Sequence, residues 1–112
     1  MKIADAKKVQ PMENVHNVKA SELYKTEHAV AVHITLKPGE KLKPHITPVD
    51  VFFYILEGTP DIMVGEERET VKADMLIESP ANIPHCIYNP TENRARVLVV
   101  KVPKPKKATR LL

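Results

Sequence analysis

The chain has 112 residues, 43% hydrophobic and 28% charged, which is the balance of one water-soluble globular domain. No apolar run approaches the roughly 20 residues of a membrane helix. The opening Met1-Lys2-Ile3-Ala4-Asp5-Ala6-Lys7-Lys8 lacks the apolar core of a secretory leader, so a cytoplasmic product is expected. The single cysteine, Cys86, excludes an internal disulfide and any cysteine-based zinc or iron–sulfur cluster. Five of the 17 basic residues lie in 101–112, which holds no acidic residue; the body keeps 12 basic against 14 acidic, a net of −2. The formal +3 therefore belongs to the C-terminal tail, and a body-wide nucleic-acid surface is not supported. Aromatic residues are only 4% and none interleaves with basic ones, so base stacking has no platform.

Ten prolines against three glycines argue for short strands joined by rigid turns rather than long helices. Residues 1–29 read as an N-terminal arm and first edge segment, with 1–20 irregular and Val9 and Val15 as packing points. Within it, residues 21–26 read as a single helical turn that Ser21 would cap. From His28 to Leu36 the chain alternates, Val30, Val32, Ile34 and Leu36 on one face and Ala31, His33 and Thr35 on the other, the mark of a strand. Lys37-Pro38-Gly39-Glu40 turns it, and Leu42–Thr47 is extended between prolines. Val51–Leu56 is a continuous apolar and aromatic run, as in a strand covered on both faces.

Asp61–Val64 and Thr70-Val71 are expected to pair around Gly65-Glu66-Glu67 as a hairpin. Met75–Glu78, His85–Tyr88 and Arg96–Val102 complete about eight short strands, hence an all-β antiparallel sandwich or barrel. The barrel spans 30–102, and 103–112 is a basic tail that reads as solvated and outside any ladder.

Two histidines open strands directly after a proline: His45 after Pro44 and His85 after Pro84. These positions resemble the two motifs of the cupin superfamily. The first cupin motif runs from a glycine to a His-x-His pair, a glutamate and a closing glycine; Gly39, His45 and Gly58 stand in register with it. The second has a Pro-x-Gly core followed by a histidine and an asparagine; Pro80, His85 and Asn89 match, and Ala73-Asp74 resembles its opening Gly-Asp. The resemblance implies a small single-domain cupin, an antiparallel jelly-roll β-barrel. Cupin metal sites typically use three histidines and one glutamate. Here Thr47 stands at the second histidine, Val51 at the glutamate and Asn82 at the motif glycine, so the metal site is degenerate.

If the motif mapping holds, strand parity turns His45, Thr47, Val51, Phe53, Ile55, His85, Ile87 and Asn89 into the barrel as a ligand pocket, apolar walls with a few placed polar groups. A divalent transition metal (zinc, nickel, iron, manganese or copper) would find His45 and His85, with His33 as the only further candidate. Asp50 and Cys86 have the wrong parity to join. The reading leaves two functions open: binding of a small polar metabolite in the barrel, with or without a weakly held metal, or a non-catalytic degenerate cupin serving as a sensor or stabilising partner. Asp50, Phe52, Tyr54 and Leu56 would then point outward, and their apolar members need cover; a homodimer is expected.

Overall fold

The computed structural model describes all 112 residues. Its strands are β1 (Lys19–Lys25), β2 (Val30–Leu36), β3 (His45–Ile46), β4 (Asp50–Glu57), β5 (Asp61–Val64), β6 (Glu67–Thr70), β7 (Leu76–Ser79), β8 (His85–Tyr88), β9 (Ala95–Val102) and β10 (Arg110–Leu111). They form two five-stranded antiparallel sheets in the orders β1-β2-β9-β4-β7 and β10-β3-β8-β5-β6. Apart from the β1–β2 and β5–β6 hairpins, strands consecutive in sequence alternate between the sheets, so the two sheets close over one core as a jelly roll. No helix is long and apolar enough to cross a membrane.

Register follows the hydrophobic pattern. Val32, Ile34 and Leu36 of β2 face Val99, Val97 and Ala95 of β9, which in turn meet Phe53 and Ile55 of β4. Ile62 of β5 and Ile87 of β8 pair on the opposing sheet and close the core from the other side. A phase error of one residue in any of these strands would turn its apolar set to water.

Four sequence expectations need correction. Residues 21–26 are not a helical turn: 21–25 belong to β1, which pairs with β2 from Lys19↔Thr35 to Lys25↔Val30 with an irregularity at Leu23. The open edge of β2 has a row of backbone donors and acceptors, and one helical turn cannot satisfy them. The hairpin turns more tightly than expected, over Gly65-Glu66 alone, with Val64 paired to Glu67. The extended segment before Pro48 narrows to the two residues of β3, preceded by a single bridge from Lys41 to Tyr88. Finally, the tail enters a ladder: β10 pairs with β3, Arg110↔Ile46 and Leu111↔His45, and the Leu112 N–H donates to the Pro44 carbonyl. The prolines at 103 and 105 lie before this contact and leave its donors free.

Six residues have left-handed backbone, Gly58 and Asn82 among them. Gly58, at φ 83°, lies so close to β9 that a Cβ there would stand 2.7 Å from the Arg94 carbonyl oxygen. Asn82 has φ 64° where the cupin motif places a glycine; asparagine is among the few side chains that tolerate this region.

Candidate functional site

The antiparallel pairing of β3 with β8 sets His45 directly opposite His85. Both are buried, and their rings meet edge to face with centroids 4.5 Å apart. Phe53, reaching across from the other sheet, abuts His85 at 5.3 Å.

The hydrogen bonds of this pair assign every proton. His45 Nδ1 lies 2.7 Å from the Lys43 carbonyl, which can only accept, so His45 carries its proton on Nδ1. Its Nε2 is then a lone pair, and His85 Nε2–H donates to it at 3.0 Å. Thr47 Oγ1 lies 3.2 Å from the same His85 nitrogen. His85 Nδ1 is therefore the bare nitrogen of its ring, and the buried Ser79 hydroxyl donates to it at 2.6 Å. The run Ser79 → His85 → His45 → Lys43 carbonyl is complete with both imidazoles neutral. Burial is the main force keeping them so: it depresses His85 to about 4, with the His45 ring adding to the effect, and lowers His45 as well.

A third imidazole joins from the N-terminal arm. The His16 ring packs against that of His45, tilted by 50° with centroids 4.7 Å apart, and its Nδ1 accepts the Lys43 N–H at 2.9 Å, which places its proton on Nε2. Burial and the neighbouring His45 depress His16 to about 4. The side chain of Asn14 shapes the loop that delivers it: its carboxamide donates to the Met12 and Val18 carbonyls and accepts the His16 and Val18 N–H groups.

Between the sheets, beside His45, lies a cavity of about 170 Å³. Val32, Ile34, Leu42, Phe53 and Val99 supply its apolar wall; His16, His45, Lys101 and Thr109 supply its polar edge. Lys101 continues the inward parity of Ala95, Val97 and Val99, pairing with Val30 and Val51.

The expected pocket residues divide accordingly. His45 and Phe53 line this cavity, and His85 and Thr47 lie behind His45. Val51 is buried under β7 and borders a separate surface recess with Ser79. Ile55 and Ile87 are fully enclosed core. Asn89 does not join the imidazoles: its carboxamide is spent on the Leu36 and Asn93 carbonyls and on Thr91, where it ties the turn before β9. His33 is on the opposite face of β2, where its Nε2 accepts from Arg96 at 3.1 Å.

The two remaining motif histidines do not make a cupin metal centre. Their Nε2 atoms are bonded to one another, and no group of three histidine, cysteine, aspartate or glutamate side chains converges on a point where an ion could sit. Thr47 and Val51, at the positions of the missing ligands, offer one hydroxyl and no carboxylate. The donor set does not fit the metal that the family resemblance implies.

Sequence reasoning missed His16, Lys101 and Thr109. For Lys101 the signal was present, since the alternation of β9 runs through it. For His16 and Thr109 none existed, because irregular segments deliver both from opposite ends of the chain.

Comparison with known proteins agrees with the fold. A family model described as Cupin domain matches residues 32–101. The crystal structure of TT1209 from Thermus thermophilus is similar at 30% identity over 94% of this chain and 100% of that one, with a TM-score of 0.81. The polyketide cyclase RemF from Streptomyces resistomycificus is similar in fold at 19% identity, 100% and 85% coverage and a TM-score of 0.85. An RmlC-like cupin from Shewanella frigidimarina gives 16%, 95% and 94%, and 0.83. Among curated proteins none matches. With both motifs on the paired strands that carry the two imidazoles, and the family model spanning β2 to β9, the chain belongs to the cupin family.

Proposed function

We propose that this cupin binds a small metabolite in the cavity beside His45, with the histidine pair serving as a neutral, hydrogen-bonded wall rather than as a metal centre. The observation that carries the reading is the cavity itself: a half-open space between the sheets, bordered by the N-terminal arm, with a mostly apolar lining and a few polar groups. All four ring nitrogens of His45 and His85 have partners within the protein, which favours a binding role over chemistry at those rings. The cavity holds the volume of about six water molecules at roughly 30 Å³ each, so a ligand of short-chain size fits.

The test is titration with a series of C4 and C5 acids, amides and alcohols, followed by backbone amide shifts. Perturbations should centre on Val32, Val99 and Lys101 and vanish in Val99→Phe, whose ring fills the space. A series in which no member perturbs these residues contradicts the reading.

A further inference from the structure

The polar edge of the cavity is electrically one-sided. Lys101 points its chain along the inner face of β9, and none of the ion pairs of the protein involves it; these join Arg68 to Asp61 and Arg94 and Arg96 to Glu57. No hydrogen bond within the protein anchors its ammonium, which keeps a contact with solvent at the cavity edge, since no fully buried side-chain polar atom of the protein lacks a partner. Burial pushes the Lys101 ammonium below its usual range, and the opposing pull of Glu22 on β1 is the smaller effect. Beside it, His16 presents an Nε2–H with no partner in the protein, since its Nδ1 is taken by the Lys43 N–H. Thr109 adds a hydroxyl from the C-terminal segment. No carboxylate lines the cavity.

An unpaired cation in a partly desolvated wall is unfavourable unless something of opposite charge meets it. Two donors and a positive charge in a lining otherwise made largely of branched aliphatic side chains describe a molecule that is anionic at one end and apolar at the other. We propose that the cavity is a carboxylate site: Lys101 and His16 Nε2–H hold the head of a short-chain monocarboxylate whose aliphatic tail lies against Val32, Ile34 and Val99. This rests on the reading of the cavity as a ligand site and names its ligand class. Lys101 supplies the charge and His16 the directional hydrogen bond, and neither requires a metal.

Isovalerate and its uncharged isostere isovaleramide are the probes. Calorimetric or NMR titration of the unmodified protein at pH 7 should give isovalerate at least a ten-fold advantage, about 1.4 kcal/mol. Lys101→Met, matched in length and apolar, should bring the acid down to the affinity of the amide, and Lys101→Arg should keep the preference. If acid and amide bind the unmodified protein equally, the charge assignment fails while the cavity reading stands. If neither binds, both fail. If Lys101→Met still prefers the acid, another group supplies the charge and the assignment to Lys101 is overturned. Should that variant not fold, the acid–amide comparison on the unmodified protein still decides whether the site selects a carboxylate.

Discussion

Mild acid should destabilise this protein through its buried imidazoles, at a pH above that at which Glu57 and Asp61 lose their contributions. His85 is depressed from 6.5 to about 4 in the folded state. A histidine whose folded pKa is lowered keeps its full contribution above the unfolded value and loses it as the pH falls toward the folded one, because the unfolded chain takes up a proton that the folded chain refuses. The loss is about 1.4 kcal/mol for each pH unit below 6.5, hence about 2 kcal/mol at pH 5 from His85 alone. His16 acts in the same direction, but it is only half-buried and solvent screens its share. Glu57 and Asp61 are also depressed, from 4.5 and 3.8, so their contributions are lost only below those values and leave the window above pH 5 to the histidines. At about 4 °C per kcal/mol for a domain of this size, the melting temperature should fall by about 8 °C between pH 7 and pH 5.

Circular dichroism melts at pH 7, 6 and 5 and constant ionic strength measure this, with His85→Gln as the comparison. That variant should start lower, since Ser79 and His45 lose their partner, a cost of about 1–3 kcal/mol. Its melting temperature should nevertheless depend less steeply on pH. A parent whose melting temperature is flat from pH 7 to pH 5, or a variant with the same slope as the parent, would refute the reasoning.

Three further outcomes are expected. Gly58→Ala forces both a left-handed alanine and a contact with the Arg94 backbone, so urea unfolding should show a loss of about 3 kcal/mol; a loss below about 1 kcal/mol would mean the β4–β9 approach is looser than described. Removing Thr109–Leu112 deletes β10 and one edge of the cavity, and should lower the melting temperature by about 4 °C or more; an unchanged value would mean the β10 pairing adds nothing to stability. The outer face of the β4–β9 sheet carries half-buried Phe52, Leu56, Leu98 and Val100 beside exposed Leu76, and we propose a second copy as its cover; light scattering should give twice 12.6 kDa, and a monomer mass at micromolar concentration would refute it.

Much of the barrel was legible because period-two alternation survives in β2 and β9 and because turn residues separate the strands. The edges were not. β1 carries Ser-Glu-Leu-Tyr, which is compatible with helix locally, and only the unpaired edge of β2 makes it a strand. β10 is two exposed residues in a basic tail, and its pairing depends on where β3 ends in space. The His45–His85 pairing could be read from motif position and parity, since antiparallel neighbours bring same-face residues together. What a sequence alone does not contain is which ring nitrogen bonds to which, and that detail separates a closed imidazole pair from a pair of open ligands. The arm illustrates the same limit: His16 lies 29 positions before His45 in the chain and packs against its ring in the fold.

The state of the histidine pair is open to direct observation by nitrogen-15 NMR of the imidazole rings. At pH 7 the account predicts neutral rings with the proton on Nδ1 of His45 and on Nε2 of His85, unchanged when one equivalent of zinc is added. Either ring found as imidazolium at pH 7, the opposite tautomers, or both Nε2 signals moving to metal-bound positions with one equivalent of zinc would contradict it.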